Sequence, residues 1–179
     1  MISLVMTILG HDRPGVVESL SKLVSQHGAN WLESRMAHLG GQFAGIVHVE
    51  VDPQQADALI NALRQLDRQG LTVIVQQDAS EQLAPSFAPL RLDLMGNDRP
   101  GIVHEVTHVL ADRQVNVEEF QTECITAPMS GGRLFRATAR LRLPAGLTIH
   151  QLQQALEQIA HDLTVDIRLH VGDEPTSRQ

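Results

Sequence analysis

The chain has 179 residues, enough for one medium domain or two small ones, and its 42% hydrophobic content excludes wholesale disorder. A formal net charge of −7 with a single lysine, Lys22, argues against a sequence-independent grip on nucleic acid, which draws its affinity from neutralised phosphates. The lone Cys124 excludes an intramolecular disulfide and fits a reducing compartment.

Met1 to Leu9 is apolar, lacks a basic leader and is soon followed by charge at Asp12. Leu4, Met6 and Ile8 alternate with other side chains, which predicts a strand with one face on a core. Neither a cleavable signal nor a membrane span is expected, and a cytoplasmic location follows. The corner "GHDRPGVV" at 10–17 then leads into a helix. Val16, Val17, Leu20, Leu23 and Val24 form its apolar stripe, with Asn30 opening the next strand. A third strand carries Val47, Val49 and Val51. A second helix carries Leu59, Leu63 and Leu66, and Leu71 to Val75 reads as a short last strand. "ASEQLAPSFAP" has no clear period and two prolines, so residues 79–87 are assigned to a linker.

The same order then returns. "GNDRPGIV" at 96–103 shares six of eight residues with the first corner at a spacing of 86 (96 − 10). Leu90, Leu92 and Leu94 repeat the first strand. Ile102, Val103, Val106, Val109 and Leu110 repeat the stripe, and Asn116 repeats Asn30 without a gap. Ala139, Leu141 and Leu143 follow at a spacing of 92, the added six residues fitting the loop around "TAPMSGG". Leu152, Leu156 and Ile159 repeat the second helix, and Leu163 to Ile167 the last strand. The fold class is therefore α+β: two tandem ferredoxin-like βαββαβ units, residues 1–78 and 88–172, each with two helices on a four-stranded antiparallel sheet. Residues 173–179 form a polar tail expected to be mobile. Pairing of the edge strands that bear Asn30 and Asn116, within the chain or between chains, would remove two exposed edges and makes a homodimer compatible with the sequence.

The corner has a structural and a functional reading. Structurally, Asp caps free N–H groups, Pro suits a first helical turn, and Gly15 and Gly101 permit close backbone approach. Functionally, N–H groups at a helix start favour a carboxylate, and an Asp carboxylate favours an ammonium. An Asn amide donates to one and accepts from the other. With Asn30 expected to face the same small space as Asp12 and Gly15, the set suits a free α-amino acid.

On these residues the two halves resemble ACT domains, regulatory modules that bind amino acids at this loop and at the edge of the second strand. The resemblance covers residues 1–78 and 88–172. A tandem pair with "DRPG" in both halves and no attached enzyme is similar to those members that regulate transcription. It implies a non-enzymatic amino-acid sensor, with glycine the leading ligand. Its implied partner is a protein such as a DNA-binding activator rather than DNA or a membrane, with no cofactor and no metal. The ligand residues it implies are Asp12, Gly15 and Asn30 with Asp98, Gly101 and Asn116; Arg13 and Arg99 share the corners. The repeats differ where His11 becomes Asn97 and "ANWLES" becomes "VNVEEF", so the two sites are not expected to be equal.

Two other readings compete. "HEVTH" at 104–108 has the His-Glu-x-x-His pattern of a zinc-dependent hydrolase, with Glu105 as base. The stripe, however, places His104, Glu105 and His108 on the solvent side, and the first repeat has "ESLSK" there. A structural interaction module with vestigial pockets is the third reading. RNA-recognition modules share the element order, but four Phe, one Trp and no Tyr leave no stacking platform. Cys124 has no basic neighbour and reads as a small strand residue rather than a nucleophile.

Overall fold

The computed structural model describes residues 1–78, 90–127 and 132–172. The expected linker at 79–87, the tail at 173–179 and the middle of the "TAPMSGG" loop lie outside the described residues. The chain divides into two compact units, Met1–Leu83 and Ala84–Gln179.

In the first unit the order is β1 (Ile2–His11), α1 (Val16–Gln26), β2 (Asn30–Leu39), β3 (Gln42–Val51), α2 (Pro53–Arg64), a 3-10 turn at Gln65–Gln69, and β4 (Leu71–Gln77). The second has β5 (Leu90–Asn97), α3 (Ile102–Asp112), β6 (Asn116–Thr126), β7 (Arg133–Arg142), α4 (Ile149–Leu163) and β8 (Val165–Val171). Each sheet has four strands, ordered β2-β3-β1-β4 and β6-β7-β5-β8, with every described pairing antiparallel. The strands bearing Asn30 and Asn116 are thus edge strands.

Alternation decides which face is covered. Leu4, Met6 and Ile8 of β1 and Val47, Val49 and Val51 of β3 pack in one core with Leu20, Val24, Leu59 and Leu63 from the two helices. The second core joins Leu90, Leu92, Leu94, Ala139 and Leu141 to Val106, Leu110, Leu152 and Leu156. Among the described residues, the other face of each sheet carries no helix from its own unit. The second helices start on sound caps. Asp52 accepts the Gln54 N–H at 2.8 Å ahead of Pro53, and Thr148 forms a capping box with Gln151.

Three local features refine the sequence reading. Val17 and Val103 are not on the buried stripe; they are 45% and 41% exposed, whereas Val16/Leu20/Val24 and Ile102/Val106/Leu110 are buried, with Leu23 and Val109 partly buried beside them. The last strands align as Leu71 with Val165 rather than with Leu163, since Gly10 pairs with Leu71 and Gly96 with Val165. The spacing there is 94 (165 − 71), because α4 continues to Leu163 and turns at Thr164 (φ 54°), where the first unit uses the 3-10 turn and Gly70. Finally, both units carry a β-bulge at one repeat position, between Trp31 and Glu33 and between Val117 and Glu119. No described helix is long and apolar enough to cross a membrane.

These burial patterns separate Leu20 from Val17, one turn apart on α1. Leu20→Ala is expected to cost about 2–5 kcal/mol through cavity formation, whereas Val17→Ala stays within about 0.5 kcal/mol. Urea unfolding of the two variants, followed by circular dichroism, checks the difference.

Candidate functional site

The repeated corner is built by three constraints acting in sequence. The first is a close approach. A Cβ on Gly10 would lie 2.6 Å from the Gly70 carbonyl oxygen, and one on Gly96 would lie 2.3 Å from Val165 Cγ1. The second is a tie to the neighbouring hairpin: the Asp12 N–H donates to Gly41 O at 3.1 Å and the Asp98 N–H to Arg133 O at 2.9 Å. The third is backbone sign. Gly15 (φ 89°) and Gly101 (φ 97°) are the residues from which α1 and α3 start, in the left-handed region that glycine enters freely. A Cβ at either would meet nothing within 4 Å, so the expected role of close approach belongs to Gly10 and Gly96 instead.

The expected capping by aspartate is also not made. Neither α1 nor α3 receives a side-chain cap. The Asp carboxylates turn toward the hairpins: Asp12 Oδ2 lies 3.9 Å from His38 Nδ1, and Asp98 Oδ2 lies 3.4 Å from Arg133 Nε. Arg13 reaches across to the 3-10 turn that follows α2, and Arg99 to the C-terminal end of α4. Arg13 donates to Gln69 Oε1 at 3.5 Å and Arg99 to the Asp162 carbonyl at 3.3 Å. Both contacts are long and are made by exposed side chains. What remains is an exposed helix start with uncapped N–H groups, suited to an anion, beside a carboxylate suited to a cation.

Asp12, Arg13 and Gly15 are brought together, as are Asp98, Arg99 and Gly101. Asn30 and Asn116 do not join the corner of their own unit. Asn30 pairs with Glu50, which pairs with Ser3, whereas Asp12 follows His11 at the opposite end of β1. Eight residues (11 − 3) at about 3.3 Å each put them roughly 26 Å apart along the strand. Asn116 likewise pairs with Arg142, beyond the Leu90↔Leu141 level, far from Asp98. The cause is topological: α1 runs back along the sheet, so β2 starts where β1 starts.

Two further constellations were not read from the sequence. Ser3 Oγ lies 2.5 Å from His48 Nε2, with Asp78 Oδ2 3.5 Å from the hydroxyl and 3.7 Å from the same imidazole nitrogen. In a catalytic triad the carboxylate holds the other nitrogen, so this cluster lacks the relay geometry. The second is a groove of about 590 Å³ on the open sheet face of the second unit, lined by Arg91, Asp93, Arg136, Asp166, Arg168 and His170 among others. Arg91 clamps Asp93 through Nε at 3.0 Å and NH2 at 3.0 Å, and Arg136 pairs with Glu123. The equivalent positions of the first unit include Val5, Thr7, Ala44, Thr72, Ile74 and Gln76. The alternating charges on β5 and β8 were visible, but their partners depend on register. His104, Glu105 and His108 lie on the exposed face of α3. Among the described residues no group of three or more His, Cys, Asp or Glu could hold a metal ion.

Fold and corner together define a tandem of two small βαββαβ modules of regulatory type. An ACT domain model matches residues 3–76 and 89–170, and the chain belongs to the ACT domain family. The chain is 24% identical over 170 residues to the glycine cleavage system transcriptional repressor of Escherichia coli (strain K12), covering 94% of this chain and 89% of that one. The crystal structure of an unknown protein from Galdieria sulphuraria superposes with a TM-score of 0.85 at 32% identity, covering 96% of this chain and 99% of that one. A candidate glycine cleavage system transcriptional repressor superposes with a TM-score of 0.71 at 23% identity, covering 97% and 98%.

The two glycines of one corner have separable roles. Gly10→Ala is expected to destabilise the first unit by about 1–3 kcal/mol through overpacking against Gly70, and Gly15→Ala by about 1–2 kcal/mol through its positive φ. Asparagine, which tolerates that region, recovers part of the loss at position 15 and none at position 10. Chemical denaturation of the four variants distinguishes them.

Proposed function

We propose that this protein is a non-enzymatic amino-acid sensor that regulates transcription through a protein partner, with the glycine cleavage system as its target and glycine as its leading ligand. The observation that carries the reading is the duplicated corner, where uncapped helix N–H groups stand beside an aspartate. Its support from kinship is the ACT family membership and the full-length match to the Escherichia coli repressor. The ligand carboxylate sits at the N-terminal N–H groups of α1 or α3, and its ammonium sits at Asp12 or Asp98. Asn30 and Asn116, on edge strands at the opposite end of their sheets, take no part in the corner of their own unit.

The first corner is the stronger of the two. Asp98 already faces the permanent charge of Arg133, whereas Asp12 faces only a distant, exposed histidine. An incoming ammonium therefore has less to displace at Asp12. The signal leaves through a partner such as a DNA-binding activator, because a net charge of −7 opposes approach to a phosphate backbone. Amino acid and partner must then alter each other's affinity by the same factor.

Calorimetric titration with glycine, glycinamide (no carboxylate) and acetate (no ammonium) tests the site: only glycine, with both charged groups, is expected to bind. Asp12→Ala weakens binding at least tenfold, an interaction with a charged group being worth about 1.5–3 kcal/mol, and Asp98→Ala weakens it less. Wild-type affinity in the double variant disproves the corner assignment. A mobility-shift assay with the pure chain checks the route of the signal, and specific DNA binding at physiological salt overturns it.

A further inference from the structure

We propose that His104 and His108 form a chelating site for a divalent late first-row transition metal on the exposed face of α3. The two residues are one helical turn apart, the spacing that puts two imidazoles on one face. Both side chains are exposed, and their rings lie nearly parallel, 12° apart in plane with centroids 5.9 Å apart. Because both rings are exposed, rotation about χ2 is open to bring two ring nitrogens toward one point. Metal–nitrogen bonds of about 2.0–2.1 Å require that convergence.

A carboxylate already stands behind one ligand. His108 Nε2 is 3.6 Å from Asp112 Oδ2, one further turn along the helix. A carboxylate on one imidazole nitrogen holds the proton there and leaves the other lone pair for a metal. With Asp112 in ion-pair range of Nε2, Nδ1 is the nitrogen of His108 assigned to the metal. Asp112 is thus a positioning residue. With two protein ligands, water completes the coordination shell, which agrees with the absence of any three-residue metal group among the described residues.

The fold does not require the pair. At the matching positions of α1 stand Glu18 and Lys22, which satisfy an exposed helix face with opposite charges. Imidazole nitrogen selects Cu²⁺, Ni²⁺ and Zn²⁺, whereas Mg²⁺ and Ca²⁺ take oxygen ligands. A bound ion would staple the first two turns of α3, the helix that starts at Gly101 of the second corner, and would leave α1 untouched. The site stands independently of the amino-acid reading.

The test is calorimetric titration of the tag-free full chain with NiCl₂ and ZnCl₂, with MgCl₂ as the contrast. One equivalent of Ni²⁺ or Zn²⁺ and no Mg²⁺ are expected to bind. His104→Ala and His108→Ala each weaken Ni²⁺ binding at least tenfold, and Asp112→Asn weakens it about tenfold. Alanine favours the helix, so unchanged circular dichroism shows that folding is kept. Wild-type Ni²⁺ binding in the double variant would assign the metal to the other histidines and overturn the proposal. Sensitivity to only one of the two histidines overturns it as well, because a single exposed imidazole is not a chelate.

Discussion

Each unit depends on a steric constraint at the end of its first strand. There the backbone passes its neighbour too closely for a Cβ, at Gly10 and Gly96, and five residues later must take a positive φ, at Gly15 and Gly101. The first requirement lets the central strand pair along its length with the last strand. The second aims the helix back along the sheet so that its apolar stripe meets the covered face. Helix placement, the parallel direction of β1 and β2, and the exposed N–H groups all follow from that turn. A sequence that keeps six residues of eight here while drifting elsewhere is what such a constraint predicts, before any ligand is considered.

This bears on what was legible without coordinates. The alternation of Leu4, Met6 and Ile8 and of Leu90, Leu92 and Leu94 could be read because each sheet buries one face only, so burial and period coincide. Val17 and Val103 could not be separated from the stripe, since an apolar residue one position from a buried one is displaced by about 100° on a helix. The last strand of the second unit was misaligned because Leu163 ends a helix and Val165 starts a strand. Over two residues the helical and strand periods are indistinguishable. The corner residues Asp12 to Gly15 lie together because they are contiguous. Asn30 could not be placed from composition, since which end of the sheet it occupies depends on the direction in which α1 returns.

The two corners also show how one backbone can carry unequal electrostatics. Their φ angles and hairpin ties match, yet the carboxylate of one faces an imidazole and that of the other a guanidinium. The differing partner comes from the hairpin, where the second repeat has gained residues. An exposed contact of this kind contributes only about 0–1 kcal/mol to stability. It can therefore change with little consequence for folding while altering what an incoming ammonium meets.

The uncovered sheet faces diverge further than the corners. One presents Val5, Leu9, Ile46 and Ile74, and the other presents Arg91, Asp93, Arg136 and Arg168 across matching strands. Two halves copied from one ancestor-like plan would ordinarily be interchangeable to anything that touches them. Here they are not. Duplication has thus left two open sheet faces of different chemistry on units whose cores are nearly the same.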